Sequence, residues 1–255
     1  MSIEGLLIDI DGVLVVSWQP LPGAFDALTW LRSSGLAFRF ATNTTTRSRG
    51  RLAKDLEDAG FDIAANEIMT APVATAEYLR RNHQDKTCFL IAKGDVDLDF
   101  DGIDLVEDNA DVVVVGGAEE RFTYEALDKA FRMLHSGAAL VAMHRNLWWM
   151  TKEGPRLDAG AFIAGLEAAT GVTAEVTGKP SRAFFDTGVA ALGTRTDRTA
   201  MVGDDLVTDV EGAQTAGLLG VLVQTGKFEP EQLRESFRKP DHVISSIGEL
   251  PGLIA

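Results

Sequence analysis

The sequence predicts an α/β fold: a Rossmann-like parallel-sheet core domain with an inserted α/β cap domain. Three observations predict it. Short apolar runs alternate with helix-patterned stretches near the N-terminus, the same alternation returns near the C-terminus, and the middle third differs in texture from both. Strands that alternate with helices argue for a parallel sheet, because each parallel connection needs a crossover and a helix supplies it.

The elements follow in order. Gly5-Leu6-Leu7-Ile8 is a short, continuously apolar run, the pattern of a strand buried on both faces. Residues 22–34 read as a helix, with Phe25, Leu28 and Leu31 at spacings of three and Gly35 closing it. Residues 36–41 read as a second strand and 49–59 as a second helix that ends at Gly60. Toward the C-terminus, 183–192 is helical, 199–202 a strand, 209–216 a helix closed by Gly217, and 221–223 a further strand.

In the middle, 94–111 is loop-like and acidic, and 95–108 reads as a solvated surface. Residues 111–115 form an apolar strand run. Residues 123–135 look helical, with Tyr124, Leu127, Phe131 and Leu134 along one side, followed by a strand at 138–143 and a helix at 160–169. This gives a core domain of residues 1–80 together with 178–255, and an inserted cap domain of residues 81–177.

Composition narrows the function. At 255 residues the chain suits one large domain or two modest ones. A net charge of -14 repels nucleic acid and anionic lipid, so neither is an expected partner. It repels a phosphorylated substrate too, so a site for one needs local positive charge or a metal. The single cysteine, Cys88, excludes an internal disulfide and lies in an apolar run that reads as a buried strand. No basic segment leads into an apolar one at the N-terminus, and no apolar run approaches the roughly 20 residues of a membrane span. The expected compartment is the cytoplasm.

Three segments place polar residues directly after a predicted strand: Asp9-Ile10-Asp11-Gly12-Val13, Thr42-Asn43 and Gly203-Asp204-Asp205. Ligands of open parallel sheets collect outside the carboxyl ends of the strands, so all three meet on one rim. Carboxylates leaving a buried strand are costly without a cation, and Mg2+ takes oxygen ligands from one or two carboxylates while leaving room for phosphate oxygens. Aspartate also serves as a covalent phosphoryl acceptor. Thr42 and Asn43 offer a hydroxyl and an amide for phosphate oxygens, and Lys179 offers a compact cation where the inserted domain returns to the core.

Taken alone, each segment has an ordinary explanation: a solvated turn at Asp9 and Asp11, a helix cap at Asp204, a turn at Thr42-Asn43, a surface lysine at Lys179. Their order along the chain carries the argument. Asp9-Ile10-Asp11-Gly12-Val13-Leu14, Thr42-Asn43, Gly178-Lys179-Pro180 and Gly203-Asp204-Asp205-Leu206-Val207-Thr208-Asp209 resemble the four ordered motifs of the haloacid dehalogenase superfamily. The insertion between the second and third motifs resembles its class IIA, NagD-like branch.

The resemblance implies a Mg2+-dependent phosphatase acting on a small phosphorylated metabolite. It makes Asp9 the nucleophile and a metal ligand. Asp11 becomes the general acid/base, lending its backbone carbonyl to the metal. Asp204 is the third ligand, Asp209 supports its loop from behind, and Thr42, Asn43 and Lys179 bind the phosphoryl group. It also implies a homodimer through the cap.

Two departures from the family pattern stand out: Thr44-Thr45-Thr46 after the second motif, and His144-Arg145-Asn146-Leu147-Trp148-Trp149 in the cap loop. Either Trp148 or Trp149 stacks on substrate, or one of them packs in the cap core. His144 and Arg145 either meet an anionic substrate or belong to an exposed loop. The competing functions are a dehalogenase, a phosphomutase, and a phosphate-ligand binding or signalling protein on the same scaffold.

Overall fold

The computed structural model describes residues 3–151 and 153–254. It begins with β1 (Gly5–Asp9), a short hairpin of β2 (Val15–Val16) and β3 (Gln19–Pro20), α1 (Ala24–Ser34), β4 (Ala37–Thr42) and α2 (Arg49–Asp58). Then come β5 (Ile68–Thr70), α3 (Ala71–Asn82), β6 (Cys88–Ile91), β7 (Val112–Val115), α4 (Tyr124–His135) and β8 (Ala139–Ala142). A hairpin of β9 (Trp148–Thr151) and β10 (Gly154–Leu157) leads to α5 (Ala159–Thr170) and β11 (Glu175–Val176). The chain finishes with α6 (Arg182–Leu192), β12 (Thr199–Gly203), α7 (Gly212–Ala216), β13 (Leu219–Val223), α8 (Pro230–Glu235), β14 (His242–Ile244) and α9 (Leu250–Ile254).

These elements form two compact units. The first comprises Met1–Thr42, Leu52–Met69 and Lys179–Ala255, the second Asn43–Arg51 and Thr70–Gly178. The fold is α/β with a parallel-sheet core, as the sequence implies. Among the described residues, no helix is long and apolar enough to cross a membrane.

The first unit holds a six-stranded sheet in the order β14-β13-β12-β1-β4-β5. β1 lies at its centre, parallel to β12 on one side and to β4 on the other. All five β1 residues are buried, which accounts for the unbroken apolar run. From β1 the chain builds outward through β4 on one side and returns much later through β12 and β13 on the other. The strand order therefore reverses between β1 and β12, where ligands of open α/β sheets bind. Helix α1 covers one face through Ala24, Ala27, Leu28 and Leu31, and Gly35 at φ 75° stops it in the left-handed conformation. Phe25, placed on the apolar side by its spacing, is instead partly exposed and stacks on Phe61 at 4.5 Å.

The second unit holds a parallel sheet in the order β11-β8-β7-β6. The four valines of β7 are all fully buried and split by alternation: Val113 and Val115 face α4 and α5, whereas Val112 and Val114 face α3. The expected boundary at residues 80 and 81 thus falls at the wrong end of α3. Ala71, Ala76 and Leu79 of that helix pack with Cys88, Val112 and Val114, so the helix belongs with the second sheet. On α4 the buried side is Ala130, Met133 and Leu134, and Tyr124 is exposed.

The acidic stretch is not all solvated surface. Asp95 accepts from the Ser48 backbone and hydroxyl at 2.9 and 2.8 Å, and buried Asp99 accepts from the Arg49 backbone at 2.9 Å. Trp148 and Trp149 are both exposed on the β9–β10 hairpin, so neither packs in the core of this unit. His144 is buried, which overturns the exposed-loop reading for that residue.

Candidate active site

The site is built at the carboxyl ends of β1 and β12. Ile8 pairs with Val202, so Asp9 ends its strand beside Gly203 and Asp204 follows one residue later. The turn that leaves β1 bends sharply: Gly12 has φ +88°, and a Cβ there would lie 1.9 Å from Asp204 Oδ2. Gly203 is pressed from the other direction, its missing Cβ 2.3 Å from Asp209 Oδ2. Both glycines exist because carboxylates occupy the space beside them.

After β12 the backbone makes a wide π-helical turn over Leu206–Glu211 before α7. Such turns are rare and concentrate at functional sites. Asp205 caps this turn, its Oδ1 accepting from Val207 and Thr208 backbone N–H groups at 3.1 and 3.0 Å. That role explains two acidic residues in tandem: Asp204 faces the site and Asp205 holds the turn. The turn also brings Asp209 inward, where it accepts from the Asp205 backbone at 3.3 Å.

Lys179 closes the cluster. Its Nζ lies 2.7 Å from Asp9 Oδ1 and 2.6 Å from Asp209 Oδ1, and donates to the Ala41 carbonyl at 3.4 Å. All four charged groups (Asp9, Lys179, Asp204 and Asp209) are buried. Burial pushes Asp9 up to about 6; Lys179 opposes this, and Asp204 and Asp11 reinforce it. Asp204 is likewise raised to about 6 by burial, against the Lys227 backbone N–H, and Asp209 to about 6 by burial, against Lys179. Burial works against the charge of Lys179 as well, yet Asp209 and Asp9 together outweigh it and hold the ammonium above the ordinary lysine range.

Three buried carboxylates thus face one buried ammonium, an excess of negative charge that a cation would relieve. One oxygen each from Asp9, Asp204 and Asp209 lies within 4.8 Å of the others. Asp204 Oδ1 is buried and makes no hydrogen bond among the described residues, a polar atom without its complement. The all-oxygen donor set and this orphaned atom fit a hard divalent cation.

Of the residues singled out in the sequence, Asp9, Lys179 and Asp204 come together directly. Asp209, expected only behind the Asp204 loop, touches Lys179 and belongs to the carboxylate cluster. Thr42 is buried at the end of β4, next to β1. Asn43 is the first residue of the second unit's leading segment. The Asp11 side chain is exposed, outside the cluster of three, and its backbone bridges to Val15.

Sequence reasoning missed the contribution of residues 224–227. The Lys227 backbone N–H donates to Asp204 Oδ2 at 2.6 Å, and the Thr225 hydroxyl donates to the Gly12 carbonyl at 2.5 Å. The signal was available, since this segment follows the apolar run of β13 as the other motifs follow theirs.

Two family models match the chain: haloacid dehalogenase-like hydrolase over residues 6–106 and HAD-hydrolase-like over residues 176–250. Haloacid dehalogenase-like hydrolase domain-containing protein 2 of Bos taurus is 39% identical over 227 residues, covering 89% of this chain and 86% of its own. The chain belongs to the haloacid dehalogenase-like hydrolase family.

Within that family it is a class IIA, NagD-like phosphatase. Human phospholysine phosphohistidine inorganic pyrophosphate phosphatase is 34% identical over 259 residues, covering 99% of this chain and 94% of its own. A 4-nitrophenylphosphatase structure from Thermotoga maritima superposes with a TM-score of 0.91 at 33% identity, covering 99% and 98% of the two chains. NagD from E. coli K-12 gives a TM-score of 0.89 at 27% identity, covering 98% of each.

Proposed function

We propose that this haloacid dehalogenase-like hydrolase cleaves small phosphomonoesters through a phosphoryl-enzyme intermediate on Asp9, with Mg2+ as its cofactor. The observation that carries the proposal is the contact of buried Asp9 with Lys179 inside a cluster of three carboxylates. A carboxylate held at the sheet switch point, beside a fixed ammonium, is an oriented nucleophile with charge ready to meet an incoming phosphoryl group.

Asp9, Asp204 and Asp209 side chains, with the Asp11 carbonyl, are the groups available to hold Mg2+. When bound, the ion neutralises phosphoryl oxygens and offsets the carboxylate excess. The remaining chemistry belongs to the chain. A carboxylate oxygen of Asp9 attacks phosphorus, forming an O–P bond as the bond to the leaving oxygen breaks. Asp11, the more exposed carboxyl, gives its proton to the leaving alkoxide. A water then attacks the phosphorus of the acyl phosphate, Asp11 takes its proton, and Asp9 is released as a carboxylate. Lys179, Thr42 and Asn43 hold phosphoryl oxygens.

Phosphate release from a panel of phosphorylated metabolites, with Mg2+ and with chelator, tests this reading. Turnover that needs Mg2+ and disappears in Asp9→Asn is the expected result. Equal turnover in chelator, or a fully active Asp9→Asn, would remove the mechanism. Substrates bearing phosphoramidate and pyrophosphate bonds belong in the panel, because a relative carries those activities in its name.

A further inference from the structure

The carboxyl ends of the second sheet are occupied by the chain itself. Strands β6, β7, β8 and β11 end at Ile91, Val115, Ala142 and Val176, and this rim is where an open parallel sheet would take a ligand. The segment Asn43–Arg51 is grouped with this unit. Thr45 is buried, and its Oγ1 accepts from the Gly117 backbone N–H at 3.0 Å. The rim is shaped to receive the segment: a Cβ on Gly94 would lie 2.1 Å from the Thr46 carbonyl, and one on Gly117 2.7 Å from Thr45 Oγ1.

Buried His144 completes the contact. The Asn146 backbone N–H donates to His144 Nδ1 at 3.3 Å, which leaves the ring proton on Nε2. Nε2 lies 3.4 Å from Thr45 Oγ1 and 3.6 Å from Asp158 Oδ1. Asp158 in turn accepts from the Ala159 backbone N–H at 2.8 Å, capping α5. Burial, opposed by Asp158, holds the imidazole below its ordinary range. A run of polar contacts therefore leads from the α5 N-terminus past Asp158 and His144 to Thr45, two residues beyond Asn43.

We propose that Thr45 and His144 are positioning residues for phosphate recognition, latching the loop that carries Asn43. The Thr44-Thr45-Thr46 run and the His144 loop, the two departures from the family pattern, are then parts of one device. The bland alternative is a satisfied core histidine whose removal costs stability alone. The inference rests on the reading that Asn43 binds a phosphoryl oxygen, and the test separates the two.

Kinetics on an aryl phosphate and calorimetric binding of inorganic phosphate, both with Mg2+, are measured for Thr45→Val, Thr45→Ser, His144→Leu, His144→Gln, the double variant Thr45→Val/His144→Leu, and Asn43→Ala. The latch predicts that Thr45→Val and His144→Leu raise KM and weaken phosphate binding by the same factor, about five- to tenfold, with kcat less affected. The double variant should be no worse than either single change, because both break one device. Thr45→Ser and His144→Gln, which keep an oxygen and an N–H, should recover most of the loss.

Unchanged KM and phosphate binding in Thr45→Val and His144→Leu, while Asn43→Ala is impaired, would overturn the latch and leave the Asn43 assignment standing. Additive losses in the double variant would also overturn it. If Asn43→Ala binds phosphate normally, the Asn43 assignment fails and takes the latch with it. Because calorimetry does not need turnover, a protein inactive on the aryl phosphate still decides the question.

Discussion

Lys179 and Asp209 meet at 2.6 Å with both side chains buried, joining the residue that opens the chain's return to the first unit to the turn after β12. The same ammonium reaches Asp9 at 2.7 Å. Lys179 is therefore structural as well as electrostatic, and its loss strands two buried carboxylates at once.

Replacing Lys179 by Met should lower unfolding free energy by about 3–5 kcal/mol, the usual penalty for removing one partner of a buried pair. Urea denaturation of the metal-free protein measures it. Asp209→Asn removes one of the excess carboxylates and should cost far less. Equal losses in both variants would mean that the cluster is not carboxylate-rich in the folded protein.

Asp9→Asn should leave the fold intact and abolish turnover. The substitution is close to isosteric and takes away a charge whose burial is unfavourable, so its melting temperature should not fall by more than a few degrees. Circular dichroism melts and phosphate release, run on the same preparation, separate loss of chemistry from loss of fold.

The carboxylate cluster gives the metal-free protein an unusual pH dependence. Asp9, Asp204 and Asp209 each have a folded-state value of about 6 against an ordinary 3.8. Between those values the folded state binds more protons than the unfolded state, so stability falls as pH rises through the window and stays lower above it. With chelator present, the wild type should lose more stability from about pH 5 to about pH 7.5 than Asp204→Asn does, because the variant has one fewer such group. Added Mg2+ should raise the melting temperature more at the higher pH. A steeper loss in Asp204→Asn would contradict the assignment.

Gly12 and Gly35 provide a matched pair. Both have positive φ, +88° and +75°, but a Cβ on Gly12 would meet Asp204 Oδ2 at 1.9 Å whereas one on Gly35 meets nothing within 4 Å among the described residues. Gly35→Ala should cost about 1–2 kcal/mol of stability through backbone strain and leave kcat/KM unchanged. Gly12→Ala should also displace Asp204 and lower kcat/KM by at least about a hundredfold, a loss typical of a misplaced catalytic group. Comparable activity in the two variants would show that Asp204 tolerates displacement.

Much of this site was legible because its residues follow apolar strands. Asp9, Thr42 and Asp204 each stand at or just after the end of a buried run, a local signal. Asp209 stands five residues after Asp204 in the sequence, but its contact with Lys179 depends on a π-helical turn that helical periodicity does not announce. The same limit explains His144: it faces Thr45 from 99 positions away, and nothing in its neighbours marks it as buried. Asp95 and Asp99 look solvated beside their acidic neighbours, because their partners at Ser48 and Arg49 lie far back along the chain. Helix α3 was missed as a member of the second unit because its buried alanines give no sign of which sheet they cover.

The central position of β1 also bears on how the chain is made. Gly5 pairs with Ala37 on one side but with Thr199 on the other. During synthesis, the strand that carries Asp9 can find its β4 neighbour early, and then waits for most of the chain to emerge before β12 covers its second edge. Until that moment an apolar strand with open N–H and C=O groups faces the solvent, the kind of edge that recruits foreign strands. The second unit, contiguous from Thr70 to Gly178 apart from one short segment, is complete before then. Refolding from denaturant should accordingly be slow and concentration-sensitive in the first unit, where local contacts cannot close the catalytic sheet.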